Sequence, residues 1–98
     1  MDFSIKFNQE KNQLLKAIRG ISFEEIRDAI EGGHLLANIA HPSKEYPHQR
    51  MYVVQIEQYA YAVPYVMDHS KREVFFKTAY PSRALTKAYI KGAKDEKK

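Results

Sequence analysis

The sequence RMYVVQIEQYAYAVPYVM, residues 50–67, decides the fold because nearly all of it has a two-residue periodicity. Its first half interleaves two sets of side chains: Tyr52, Val54 and Ile56, and between them Met51, Val53 and Gln55. Its second half, from residue 59, alternates tyrosine or aliphatic positions with small residues. This period is typical of strands. We predict two neighbouring antiparallel strands, with Pro64, which lacks an N–H, at a bulge or with its amide position on an unpaired side.

The N-terminal residues predict a strand followed by a short amphipathic helix. Residues 2–7 alternate polar and apolar side chains, as a half-buried strand does. Asn8 can cap a helix that runs to Arg19 and stops at Gly20. The apolar face of this helix is expected to consist of Leu14, Leu15 and Ile18.

A second helix is predicted to begin at a capping box. The Ser22 hydroxyl can accept a hydrogen bond from the Glu25 amide, while the Glu25 side chain accepts one from the Ser22 amide. The helix should end at Gly32-Gly33, where at least one residue takes a positive φ. Its buried face is expected to consist of Phe23, Ile26 and Ile30.

The remaining elements complete an α+β fold. Residues 34–40 and 73–79 predict two further strands, and Pro81-Ser82 starts a final helix that ends at Gly92. The apolar stripe of this helix would be Ala84, Leu85, Ala88 and Tyr89. We therefore expect a mainly antiparallel sheet with two N-terminal helices and one C-terminal helix. The helices would cover one face, and tyrosines and basic residues would lie on the other, partly open face.

Length and composition predict one small domain. The chain has 98 residues, of which 44% are hydrophobic, enough for one core but not for two. We expect a compact domain at 1–92 and a charged flexible tail at 93–98. Cysteine is absent from the sequence, which excludes disulfides and thiolate catalysis. The sequence shows neither a signal-peptide pattern nor an apolar run of membrane-spanning length, so we predict a cytoplasmic protein.

The charge distribution indicates a polyanionic partner. The formal net charge is +4, and the stretch FFKTAYPSR, residues 75–83, runs an apolar strand into a helix start between two cations. Lys77 and Arg83 could form a phosphate clamp, since lysine is a mobile point charge and arginine a bidentate fork. Both could equally be ordinary surface residues. Arg50 begins a neighbouring strand, and the sequence leaves open whether it converges on the same place.

Three residues are candidates for proton transfer. His41 and His48 flank a loop with two prolines, and an imidazole can donate or accept a proton near neutral pH. Tyr80 could move a proton or stack on a base. Each of the three also fits an ordinary loop or packing position. The histidines lack the spacing and companion acid of a zinc motif, so the sequence predicts neither a metal site nor a cofactor.

Three segments in order suggest a family: FNQEKN at 7–12, RGISFEE at 19–25 and KTAYPSRALTK at 77–87. Together they resemble the BrnT-type toxins of bacterial type II toxin–antitoxin systems over nearly the whole chain. Arg83 matches the family's arginine well. The preceding residues, TAYPS, depart from the family's usual Ser-Ala-Arg turn.

This resemblance implies a RelE-like fold and a metal-independent endoribonuclease, in which a ribose 2′-hydroxyl of the RNA substrate attacks the adjacent phosphate. It also implies a small antitoxin, similar to ribbon-helix-helix proteins, through which alone the toxin would bind operator DNA. On this interpretation charge stabilisation falls to Arg83, Lys77 and Arg50. Proton transfer falls to His41, His48 or Tyr80.

Two other functions fit the same residues. The first is a non-catalytic module that binds RNA or an acidic protein through its tyrosines and basic surface. The second is an inactive toxin-like regulator that binds an antitoxin and cleaves nothing. Product formation separates the ribonuclease from both.

Overall fold

The computed structural model describes residues 3–90 and has three helices and a six-stranded, mostly antiparallel sheet. The α+β fold class is therefore confirmed. The elements, in chain order, are β1 (Ser4–Phe7), α1 (Gln9–Arg19), α2 (Phe23–Glu31), β2 (Leu35–Ala40), β3 (Arg50–Ile56), β4 (Tyr59–Asp68), β5 (Glu73–Phe76), β6 (Tyr80–Pro81) and α3 (Arg83–Tyr89). The expected helix end at Gly92 and the tail at 93–98 lie outside the described residues. Within residues 3–90, no helix is long and apolar enough to cross a membrane.

The hairpin predicted from residues 50–67 lies at the centre of the sheet. The strand order is β1-β5-β4-β3-β2, and β6 pairs with β4. β3 and β4 pair antiparallel without a register shift, from Arg50 opposite Tyr65 to Ile56 opposite Tyr59. β1 is parallel to β5, and β2 is antiparallel to β3. β4 therefore contacts every strand that carries a candidate site residue.

Pro64 explains the interruption between β5 and β6. It pairs with β3 without a bulge, and its carbonyl accepts the Lys77 N–H at 2.8 Å. Because the N–H and C=O of one residue in an antiparallel strand point to the same side, the missing N–H of Pro64 also faces the chain that follows Phe76. β5 therefore ends at Phe76, and pairing resumes only at Tyr80. The prediction of one continuous strand over 73–79 is wrong for this reason.

One face of the sheet, called the core face here, packs against α2. Phe23, Ile26 and Ile30 of α2 are buried against it, as predicted. The Phe23 ring lies 5.1 Å from the Phe7 ring and 5.7 Å from the Phe76 ring, centroid to centroid. The capping box of α2 is present, and Gly33 after its end has a φ of 92°.

α1 contributes less to the core than its sequence pattern predicted. Its buried side chains are Asn12 and Leu15, while Leu14 is 54% exposed and Ile18 is 66% exposed. Positions 12 and 15 share one side of the helix and positions 14 and 18 share another, so a helix that packs through the first pair leaves the second pair in solvent. The predicted apolar face is therefore correct only at Leu15.

Asn12 joins α1 to the start of α2. Its Oδ1 accepts the Phe23 N–H at 2.7 Å, and its Nδ2 donates to Glu24 Oε1 at 2.8 Å. The Asn12 side chain is fully buried, and its hydrogen bond is the largest cause that lowers the pKa of Glu24 below the ordinary value. We call Asn12, Ser22, Phe23, Glu24 and Glu25 the helix junction. It satisfies backbone N–H groups at the start of α2 that the helix itself cannot.

The second face of the sheet is not the open tyrosine surface that was expected. Tyr52 and Tyr65 are 3% and 1% exposed and lie on the core face. Strand alternation places small and aliphatic side chains on the second face, and the following ones are buried: Met51, Val53, Ala60 and Ala62. The rings of Tyr52 and Tyr65 pack on the core face instead, so these two tyrosines form no stacking platform on the second face.

Candidate nucleic-acid site at the β5–α3 segment

Residues 77–83, called the 77–83 segment below, are fixed to β4 through their backbone. The Lys77 N–H donates to Pro64 O at 2.8 Å, and the Ser82 N–H donates to Ala60 O at 3.0 Å. Between these bonds, Tyr80 pairs with Ala62. The segment therefore has a rigid backbone although only two of its residues form a strand.

The start of α3 is held to β4 by a buried hydroxyl. Thr86 is 4% exposed; its Oγ1 donates to Ser82 O at 2.7 Å and accepts the Ala60 N–H at 2.9 Å. Ser82 caps the helix by accepting the Leu85 N–H. The predicted apolar stripe of α3 is wrong for this reason, because a polar residue outside the stripe occupies the buried position. Of the predicted stripe, Leu85 is half-buried and the others are exposed: Ala84, Ala88 and Tyr89.

The side chains of Lys77, Tyr80 and Arg83, unlike the backbone of the segment, have almost no polar partners among the described residues. Lys77 and Arg83 are exposed, and neither makes an ion pair within residues 3–90. The Lys77 Nζ lies 5.2 Å from the centroid of the Phe75 ring. The Tyr80 hydroxyl is 3.8 Å from the Met51 sulfur, which is a weak acceptor. Two cations and a phenol are thus presented on a fixed support, with only a ring contact at Lys77 and a weak bond to sulfur at Tyr80 among the described residues.

The Arg50 side chain, in contrast, has hydrogen-bond partners within the fold. Its Nε donates to Asn38 Oδ1 at 3.1 Å and its Nη2 donates to Asn38 O at 3.0 Å. The same Oδ1 accepts the Tyr65 hydroxyl at 2.8 Å, and the Tyr65 ring stacks on Tyr52 at 4.0 Å between centroids. Burial, reinforced by Tyr65, raises the pKa of the Tyr52 phenol above its ordinary value. Arg50 therefore connects β2 and β3 as part of a packed network.

The structure does not bring Arg50 and Arg83 together. Arg50 is paired with Tyr65, whereas Arg83 directly follows the residue bonded to Ala60. From Tyr65 to Ala60, β4 covers about 17 Å at roughly 3.4 Å per residue. Arg50 also lies on the core face with Tyr65, while Lys77 packs on Phe75, which strand alternation places on the second face. The sequence left open whether Arg50 joins Lys77 and Arg83. In the structure Arg50 lies at one site, and Lys77 and Arg83 belong to another.

The two histidines of the 41–48 loop have different surroundings. His41 Nδ1 accepts the Ser43 N–H at 3.1 Å, and its ring lies 5.0 Å from the Tyr46 ring. His48 is exposed and has no hydrogen bond or ring contact to any described residue. His41 lies two residues after Ile39, the strand partner of Met51, and the Tyr80 hydroxyl bonds to the Met51 sulfur. His41 is thus the histidine whose position can be related to the 77–83 segment.

Two polar residues that hold the structure, Asn38 and Asn12, were missed by sequence reasoning, although the Asn8 cap and the capping box of α2 were predicted correctly. Asn38 received no role, although it binds Arg50 and Tyr65; its place in a strand, where asparagine is disfavoured, was the available signal. Asn12 gave a comparable signal as an asparagine inside a helix. In the part of the chain that the structure describes, no three His, Asp or Glu side chains are grouped so as to hold a metal ion.

Comparisons with known proteins supply no family for this arrangement. No family model matches the chain, and no curated protein or solved structure is significantly similar to it. The motif residues at 8, 12, 20, 22 and 25 are used in helix caps and in the helix junction, whereas Lys77 and Arg83 form no ion pair with a described residue.

Proposed function

We propose that this protein is a cytoplasmic toxin of a bacterial toxin–antitoxin module with a RelE-like fold, and that it cleaves RNA without a metal ion. The observation that carries the proposal is the pair of exposed cations, Lys77 and Arg83, which lie on the rigid 77–83 segment and form no ion pair within residues 3–90. Exposed cations on a fixed backbone bind phosphates without first breaking internal ion pairs. The resemblance to BrnT-type toxins, strongest at Arg83, gives the substrate class.

The proposed reaction is an internal transfer of the phosphoryl group. The ribose 2′-oxygen attacks the adjacent phosphorus, and the bond from phosphorus to the 5′-oxygen breaks. The proton leaves the 2′-hydroxyl, and the departing 5′-oxygen gains one. The products are a 2′,3′-cyclic phosphate and a 5′-hydroxyl. Catalysis requires proton transfer and stabilisation of the charge that develops on the equatorial phosphate oxygens.

The geometry ranks the residues proposed for these tasks. Arg83 and Lys77 stabilise the phosphate, because their charges are exposed and not paired with any described carboxylate. Tyr80 is the first choice for proton transfer, since it lies between them in the sequence and its hydroxyl hydrogen-bonds only to a sulfur within residues 3–90. His41 is the second choice for that transfer. Arg50 and His48 are less favoured, because Arg50 is held by Asn38 and His48 is not fixed by any described residue.

The same proposal includes a small antitoxin as the partner. An antitoxin similar to ribbon-helix-helix proteins would neutralise the toxin, and operator DNA would be bound only through it. The net charge of +4 favours an acidic binding segment on that partner.

Cleavage of a labelled RNA by the purified protein in EDTA tests the proposed activity. The wild-type protein should yield 2′,3′-cyclic phosphate ends, and Arg83→Ala should lower the rate by about 10²-fold, the usual cost of losing one charge-stabilising group. Lys77→Ala should act in the same direction. Arg27→Ala is the matched control, since Arg27 is paired with Asp28 on α2 at 3.7 Å, away from the segment. Intact RNA in every sample, together with normal growth on induction, would refute the proposal.

A non-catalytic RNA-binding module is the second candidate. It is favoured by one observation, namely that no described acid or base is hydrogen-bonded to Lys77, Tyr80 or Arg83. In that case Arg83→Ala would weaken RNA binding while no sample produced cyclic phosphate ends. Electrophoretic mobility shifts measured beside the cleavage assay separate the two functions.

A further inference from the structure

The exposed apolar side chains of α1 form a stripe that the fold does not use. Leu14 and Ile18 are 54% and 66% exposed and lie one turn apart on the same side of the helix. Single exposed apolar residues are ordinary on protein surfaces. Two in register on one helix, beside a groove, form an apolar surface that a partner can cover.

A groove runs along α1 between these residues and the start of the 77–83 segment. Near the N-terminal end of α1 it is a cavity of about 460 Å³, with walls that include Leu14, Phe75 and Lys77. Toward the C-terminal end it continues as a cavity of about 150 Å³, with walls that include Ile18, Arg19 and Thr78. Lys11 and Leu14 line both cavities. The two cavities are therefore adjacent along α1, and together they are called the groove.

The rim of the groove is predominantly basic. Lys11, Arg19 and Lys77 lie along it, and Glu10 is the one acidic residue among its described lining. None of the three cations makes an ion pair with a described residue. An apolar floor bordered by unpaired positive charges is complementary to a segment with an apolar stripe and acidic flanks.

We propose that this groove binds an acidic amphipathic helix of a partner protein. The helix would cover Leu14 and Ile18 with its apolar stripe, and its carboxylates would face the three cations. RNA is less favoured, because its phosphates would contact the rim but leave the two apolar side chains without a matching surface. A second copy of this chain is also less favoured, because a symmetric contact would place the same cations against each other.

Occupation of the groove would have a consequence for RNA, which rests on the proposed function. Lys77 lies in the groove and also belongs to the 77–83 segment. A helix bound there would neutralise Lys77 and occupy the approach to it. The partner would then inhibit RNA binding without contacting Arg83.

The test uses a synthetic amphipathic helix about 15 residues long, with leucines spaced three and four apart and glutamates beside them. Its binding is measured by isothermal titration calorimetry. We expect the double variant Leu14→Ser/Ile18→Ser to bind at least about tenfold more weakly. Leu35→Ser, which alters an exposed leucine on β2 (37% exposed), should bind like wild type. A peptide with glutamine in place of glutamate should bind more weakly, and binding of the original should weaken with salt.

The proposal is overturned if the wild-type protein does not bind the peptide, or if the Leu14→Ser/Ile18→Ser variant binds it equally well. It is also overturned if sedimentation shows a dimer that this variant abolishes, or if the variant loses affinity for RNA while the peptide has no effect. Thermal unfolding of each variant confirms that it is folded. Peptide binding without any RNA cleavage would support the docking groove and refute only the ribonuclease.

Discussion

The helix junction and the 77–83 segment both consist of motif residues, but they use polar groups in opposite ways. At the junction the Asn12 amide oxygen accepts the Phe23 N–H, the Asn12 amide donates to Glu24, and Ser22 and Glu25 cap each other's backbone. In the 77–83 segment the backbone is bonded to β4, while Lys77 and Arg83 make no ion pair with described residues. The first region stabilises the fold. The second keeps its charges available for a ligand.

This difference shows how a family-like motif should be interpreted. The presence of a motif residue whose side chain is buried and hydrogen-bonded is explained by its contribution to stability, so it says little about chemistry. A motif residue that is exposed on a rigid backbone without a partner has no such explanation. By this criterion the buried and capping residues of the segments at 7–12 and 19–25 indicate a fold, whereas the segment at 77–87 and the groove cations Lys11 and Arg19 bear on function.

We expect the two regions to differ most when an aromatic ring is removed from the helix junction and, for comparison, from Phe75, on which Lys77 packs. Phe23→Ala at the junction should lower the free energy of unfolding by about 3–5 kcal/mol, because the ring is fully buried between Phe7 and Phe76. Phe75→Ala, beside Lys77, should cost about 1 kcal/mol, since that ring is only half-buried. Urea denaturation measures both. Equal losses would mean that the two regions contribute alike to stability.

Removal of the junction's central hydrogen-bonding side chain should have the next largest effect. Asn12→Ala leaves the Phe23 N–H buried without an acceptor, which costs on the order of 1–3 kcal/mol. Asn8→Ala is the matched control: it removes an exposed cap of the same helix, which accepts the Lys11 N–H, and should cost about 1 kcal/mol or less. If Asn8→Ala proved the more damaging in urea unfolding, the junction would not have the role assigned to it.

The sequence predicted the elements better than their faces. Periodicity and caps located the central hairpin and the start of α2, because both signals are local. The face of α1 was wrong, because Leu14 and Ile18 fit a helical stripe as well as Leu15 does, and only the packing of Asn12 against α2 selects the buried side. That selection depends on residues of two helices and is not contained in either pattern.

The candidate site was predictable only in part for a related reason. The charges of the stretch at 75–83 indicated a candidate site in the sequence. The order of the strands accounts for its rigid attachment to β4. The separation of Arg50 from Arg83 depends on which end of β4 each one meets, a matter of register. The break between β5 and β6 follows from one of the two alternatives predicted for Pro64, since a proline in a central strand must leave its neighbour unpaired. The partnership of Arg50 with Asn38 could not be predicted, because it joins side chains on two strands.

Acid should destabilise the helix junction through Glu24, by less than the substitutions of Phe23 and Asn12 do. The hydrogen bond from Asn12 lowers the pKa of Glu24 in the folded protein, so Glu24 stabilises the fold at pH values above its unfolded pKa. This contribution is lost as the pH falls through the folded pKa. Unfolding free energies between about pH 3 and 7 should therefore fall less steeply in Glu24→Gln than in wild type.

Asp68 provides the control for this measurement. Hydrogen bonds from the Lys71 backbone and from Ser70 lower its pKa as well, so part of the acid dependence must persist in Glu24→Gln. Asp68→Asn should remove that part independently, because the two carboxylates lie in different elements. An unchanged pH profile in Glu24→Gln would show that the Asn12 bond does not depend on the charge of Glu24.

Removal of both cations from the 77–83 segment should change stability least, and it tests directly whether these charges serve the fold or a ligand. Lys77→Gln/Arg83→Gln removes two exposed charges that have no ion-pair partner in residues 3–90, so the free energy of unfolding should stay within about 0.5 kcal/mol of wild type. RNA affinity should nevertheless fall, and its dependence on salt concentration should become shallower as phosphate contacts are lost. Filter binding over a salt series measures both. A substantial loss of stability in this variant would mean that these cations hold the fold as Asn12 does, and the division between the two regions would disappear.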